Sequence, residues 1–124
     1  MSSSAVILFA HGAREPEWAH PLESVRDRLR AAGTRTELAF LEIMSPSLDE
    51  AAARLASEGF KTVIIVPLFL AQGTHLKREL PAMLAKVRKR HASTEFRVTP
   101  ALGDAPEIVA AITEWVQGAA RVKK

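Results

Sequence analysis

The sequence predicts an α/β fold, a four-stranded parallel sheet with helices on both faces. Three observations point there. Four apolar, β-rich runs alternate with four amphipathic stretches over 124 residues, and strands separated by helices pair in parallel. The first run, SAVILFA, is apolar almost throughout, as a strand covered on both faces must be. No repeat, low-complexity stretch or linker interrupts the alternation, so residues 1–124 read as a single domain.

Each element has its own signal. The first strand spans 4–10. A helix over 17–32 follows from Trp18, Leu22, Val25 and Leu29 at helical spacing, with Gly33 suited to its C-terminal end. Residues 35–42, RTELAFLE, make the second strand, with Leu38, Phe40 and Glu42 on one face and Glu37, Ala39 and Leu41 on the other. Ser45-Pro46-Ser47 offers a cap followed by a first-turn proline. Asp49 and Glu50 suit a helix N-terminus, and Ala51, Ala52, Leu55 and Ala56 carry that helix to Gly59. Residues 61–68, KTVIIVPL, form the third strand, and a loop over 69–75 leads to a helix over 76–91. The fourth strand covers 95–100 and the last helix 105–121, with Pro106 at its start. Trp18 with Leu22, and Ile108 with Ile112, Trp115 and Val116, are core or interface stripes.

Composition bounds the function. A chain of 13.5 kDa buries roughly two-thirds of its unfolded surface, enough for a core without staples. With no cysteine, it holds no disulfide, zinc ribbon, iron–sulfur site or thiol nucleophile. The longest apolar run, 63–71, contains Pro67 and is too short to span a bilayer. The opening MSSSAVILFA has neither a basic region nor a cleavage site. A soluble, cytoplasmic protein with no membrane partner is expected.

The net charge of +3 hides an asymmetry. Residues 1–60 carry six Arg against nine acids, a net −3, whereas residues 61–124 carry eleven Lys and Arg against five acids, a net +6. The basic half suits an anionic partner, or simply a solvated helical surface. The run Lys86-Val87-Arg88-Lys89-Arg90 fits a helix end, where cations favour the dipole. It has no aromatic companions for base stacking, so no nucleic-acid partner is expected.

In open α/β sheets ligands bind beyond the carboxyl ends of the strands, and chemistry-bearing residues collect there. The first strand runs into His11-Gly12-Ala13-Arg14, the second ends in Glu42, and the third leads through Phe69-Leu70-Ala71-Gln72-Gly73-Thr74 to His75, Lys77 and Arg78. Two imidazoles and a carboxylate suit a divalent first-row metal with open positions. Plainer roles exist for each: a loop or cap histidine, and a solvated carboxylate at a strand end. Lys77 and Arg78 oppose the helix dipole, yet with free backbone N–H groups they would make an anion site beside His75. His20 and His91 read as structural or solvated. Phosphate-binding glycine loops and the G-x-S-x-G elbow are absent.

Three segments carry a family resemblance: AVILFAHGAREP, ELAFLEIMSPSLDEAAARL and TVIIVPLFLAQGTHLKRELPAML. In this order they resemble the short CbiX-type sirohydrochlorin chelatases, relatives of the class II tetrapyrrole chelatases. The resemblance implies a chelatase-like fold forming half of a two-module enzyme, and hence a homodimer. It implies ATP-independent insertion of Co2+ or Fe2+, with Ni2+ also possible, into sirohydrochlorin for cobalamin or sirohaem synthesis. His11, Glu42 and His75 would bind the incoming metal and accept pyrrole protons. Arg14, Gln72, Thr74, Lys77 and Arg78 would hold the substrate's carboxylates, and no cofactor beyond the metal substrate is implied. Ala13 stands where the family usually has serine, which removes a hydroxyl contact. The alternative is a non-catalytic tetrapyrrole or metal carrier using the same residues.

Overall fold

Four strands, β1 (Ser4–Ala10), β2 (Arg35–Phe40), β3 (Thr62–Pro67) and β4 (Glu95–Val98), form one sheet in the order β2-β1-β3-β4. Every neighbouring pair is parallel. The structure is a computed structural model that describes residues 4–71 and 73–121, with His75 described in its backbone only. Four α-helices connect or follow the strands: α1 (His20–Ala31), α2 (Leu48–Ser57), α3 (Thr74–Arg90) and α4 (Pro106–Arg121). The chain winds outward from β1 to β2 on one side and returns to β3 and β4 on the other. The topological switch therefore falls between β1 and β3, where such sheets open a crevice.

Side-chain alternation along the strands builds two cores. Ala5, Ile7 and Phe9 join Ala39, Val63, Ile65 and Phe96 on one face, beneath Leu48 and Leu55 of α2 and Leu76, Leu80, Leu84 and Val87 of α3. Leu8, Ala10, Leu38 and Phe40 face the other way, against Ala19, Leu22 and Leu29. Each large apolar side chain fully buried here stabilises the fold by about 1.5–3 kcal/mol. The second core is smaller, covered by α1 and the residues just before it; α4 has no buried residue and meets the chain chiefly at a short turn, Leu102–Asp104.

The predicted elements are all present, with shifted ends. The helix expected over 17–32 begins at His20, after a separate 3-10 turn at Pro16–Ala19. Pro21 explains this: it has no N–H to bond back to Glu17, so it is accommodated only in a first turn. The second strand stops at Phe40, leaving Glu42 beyond it rather than at its end. Pro46 precedes the α2 cap instead of following it. Ser47 is the cap, in a reciprocal box where its hydroxyl accepts from the Glu50 N–H (3.1 Å) and Glu50 accepts from the Ser47 N–H (2.8 Å). The third helix starts at Thr74 with Gly73 as its cap, so His75 sits inside the first helical turn and not in the loop. Strand four ends at Val98. Trp18 is 40% exposed beside Phe40 and Trp115 is 76% exposed, so the apolar stripe of the last helix is not part of the core.

Candidate functional site

Because β1 lies between β2 and β3, the segments leaving all three strands sit side by side at the sheet's carboxyl edge. His11 directly follows β1. Its carbonyl accepts the Glu42 N–H at 3.1 Å, and Ala10 accepts the Leu41 N–H at 2.9 Å, which extends the β1–β2 ladder past the strands. The next residue must be glycine for two reasons. Gly12 has φ +102°, and a Cβ there would lie 2.0 Å from the Glu42 carbonyl oxygen. That same oxygen accepts the Met44 N–H at 2.7 Å across Ile43, whose φ is +71°; this is the left-handed γ-turn, rare and strained. Both backbone polar groups of Glu42 are thus held in place, while its side chain remains 57% exposed.

His11 Nδ1 and Glu42 Oε2 stand 3.8 Å apart. That is too long for a hydrogen bond, but donors sharing a first-row divalent ion at about 2.1 Å each are separated by roughly 3–4 Å. The His11 ring is set edge-on to Phe69 (centroids 5.9 Å), which in turn packs edge-on to Phe9 at 6.0 Å. The segment bearing Phe69 is itself fixed. Leu68 donates to the Phe9 carbonyl at 2.8 Å, and Gly103 approaches so closely that a Cβ would lie 1.5 Å from the Leu70 carbonyl oxygen. A cleft of about 460 Å³ results, lined by His11, Glu42, Phe69, Gly73, Leu76 and Glu79 among others.

The structure therefore brings His11 and Glu42 together. The His75 backbone begins α3 at the same edge, but its side chain, and all of Gln72, lie outside the described residues. Among the described residues no three His, Cys, Asp or Glu side chains gather closely enough to hold an ion. Arg14 is exposed just before the Pro16–Ala19 turn, and Thr74, Lys77 and Arg78 are exposed near the start of α3. None of these four lines the cleft, although Thr74, Lys77 and Arg78 adjoin lining residues in sequence. His20 is exposed at the start of α1, and His91 packs its ring near Phe96. The basic run at 86–90 is tied to the fold: Arg88 donates to the Phe96 carbonyl at 2.8 Å, and Arg90 pairs with Asp49.

Phe69 and Glu79 are cleft residues that the sequence did not single out. Glu79 follows His75 by four positions, one helical turn on the same face, so the spacing offered a signal. Phe69 offered none, because an aromatic at a strand end reads as core.

Comparison with known proteins places these features in context. The profile of the CbiX family matches residues 5–119. A sirohydrochlorin cobaltochelatase of Sulfurisphaera tokodaii is 40% identical over 83 residues, covering 67% of this chain and 69% of the relative. Another, from Saccharolobus solfataricus, is 32% identical over 104 residues, 79% of this chain and 81% of that one. Among solved structures, a protein from Marinobacter aquaeolei described as a CbiX protein of cobalamin (vitamin B12) biosynthesis superposes with a TM-score of 0.83 at 29% identity. The match covers 94% of this chain and 97% of that one. The sirohydrochlorin chelatase SirB of Bacillus subtilis, solved with cobalt, shares the fold at a TM-score of 0.77 and 22% identity. The match takes in 95% of this chain but 51% of SirB, so the present chain spans about half its length.

Proposed function

The chain belongs to the CbiX family, and on that premise we propose that it inserts Co2+ or Fe2+ into sirohydrochlorin without ATP, acting in the cytoplasm in cobalamin or sirohaem synthesis. The observation that carries this reading is the His11–Glu42 pair, 3.8 Å apart and open to solvent on the cleft, with His75 entering the same edge from α3.

The reaction exchanges a divalent ion for two protons on the ring nitrogens. The incoming ion must shed water, and a site offering few protein ligands holds it while leaving positions free for the macrocycle. Neutral imidazole serves both needs near pH 7, as a ligand and as a base. In this reading His11, Glu42 and His75 take the metal from water. As the ring nitrogens replace them, the freed imidazoles and carboxylate accept the two pyrrole protons and pass them to solvent. The eight substrate carboxylates meet Arg14, Lys77 and Arg78 at the border of the cleft, with Gln72 and Thr74 as polar contacts. Arg acts as a bidentate fork and Lys as a point charge. Ligand chemistry does not select the metal; the Irving–Williams order favours Ni2+ and Co2+ over Fe2+ at N/O sites, so supply decides.

A single module leaves the macrocycle covered on one side, which favours a homodimer. The half-length relation to SirB and the exposed apolar side of α4 support it. Anaerobic incubation of sirohydrochlorin and Co2+ with a small molar fraction of protein tests the activity. Many turnovers per chain, faster than spontaneous insertion, are expected, and His11→Ala should slow the rate about 100-fold or more. Product formed only in proportion to protein would instead mark a carrier.

A further inference from the structure

Building on the chelatase reading, we propose that Ile43 and Leu70 form an apolar seat for one flat face of the macrocycle, and that the γ-turn at Ile43 serves to present its side chain there. Among the described residues Ile43 is the one non-glycine with positive φ, at +71°. A β-branched residue is among the least suited to that conformation. Glycine would make the same turn without the clash, so the strain belongs to the side chain. Packing within the chain offsets little of it, since Ile43 is 63% exposed.

Leu70 has the same character on the segment that follows β3. It is 66% exposed, yet its carbonyl is hemmed in by Gly103 and its neighbour Phe69 is packed against His11. Neither residue is a loose loop tip; each is an exposed apolar side chain on a fixed backbone. Each also adjoins the cleft in sequence, Ile43 directly after Glu42, and Leu70 between Phe69 and Ala71. The cleft itself presents His11, Glu42 and Glu79, which suit the metal and the protons, beside an apolar wall of Leu41, Phe69, Ala71 and Leu76 that Ile43 and Leu70 would continue. Charged contacts at the rim hold carboxylates without fixing the tilt of the ring. Two rigid apolar contacts beside the metal residues would fix it, as apolar walls with a few polar groups do in ligand sites generally.

Titration of metal-free sirohydrochlorin, followed by its fluorescence under anaerobic conditions, tests this. Ile43→Gly and Leu70→Ala should each weaken binding about tenfold, the scale of losing a partly buried apolar side chain, and raise the tetrapyrrole KM in parallel. Co2+ binding without tetrapyrrole should not change. Ile43→Gly should melt no lower than the parent, which separates lost contact from lost fold. Unaltered affinity in the double variant would overturn the inference while leaving the chelatase reading intact. A fall from dimer to monomer mass would also overturn it, by assigning the two residues to the partner copy. Failure of the parent protein to bind sirohydrochlorin would overturn the chelatase reading itself, and the seat with it.

Discussion

At the scale of single residues, the site depends on backbone that only certain side chains permit. Gly12 bears the positive φ that turns the chain beneath Glu42, and a Cβ there would collide with the Glu42 carbonyl. Gly12→Ala should therefore destabilise the protein by about 2–4 kcal/mol, from conformational strain and overpacking combined. It should also displace Glu42, so insertion should fall further than the melting temperature alone explains. Thermal melts paired with initial rates on the folded variant would check both. His11 and its glycine were legible in the sequence, since a His-Gly pair after an apolar strand announces an exposed imidazole at a sheet edge. The γ-turn at Ile43 was not. Isoleucine is the wrong residue for that conformation, so the turn is imposed from outside, by the Glu42–His11 ladder and by the Phe40 N–H bonding the Pro46 carbonyl at 2.9 Å.

At the scale of elements, β2 is an edge strand, and charge guards it. Glu37 is buried on it, within 2.7 Å of Arg35, 3.5 Å of Arg30 from α1 and 3.8 Å of Arg54 from α2. Inward-facing charge at an edge discourages pairing with another chain. Arg35 also donates two 2.9 Å hydrogen bonds to Glu58, which hold that carboxyl below the usual carboxylate range. A folded-state pKa depressed in this way gives stability that is complete above the unfolded value, about 4.3, and lost as pH falls through the folded one. Glu58→Gln should thus lower stability modestly at neutral pH, by no more than about 1 kcal/mol for so exposed a pair. The difference from the parent should vanish in acid, as urea melts at pH 7 and pH 3 would reveal. Apolar runs made the strands legible, and alternation sorted β2 correctly into Leu38 and Phe40 against Ala39. That Glu37 would be buried was not legible, because its burial depends on β2 being outermost and on arginines from two helices reaching around it. Strand order is a tertiary property with no local signal.

At the scale of the whole molecule, the sheet is covered unequally and α4 stands apart. Val109, Ile112, Trp115 and Val116 are all more than 40% exposed on that helix, and apolar faces of this kind mark interaction sites. If the chain dimerises through it, Ile112→Asp combined with Trp115→Glu should yield a folded monomer by light scattering. A mass unchanged from the parent would place the dimer contact elsewhere. The charge asymmetry also acquires a place in the fold, since Lys77 and Arg78 lie near the start of α3 beside the cleft. Whether three neighbouring strand ends make one metal-handling site is decided by a crystal soaked with Co2+ under anaerobic conditions. An anomalous peak bonded to His11 and His75 of one chain at about 2.1 Å is expected, with Glu42 in reach of the ion. Cobalt bound at His20 or His91 while the His11 cleft stays empty would rule out a shared metal site at these strand ends.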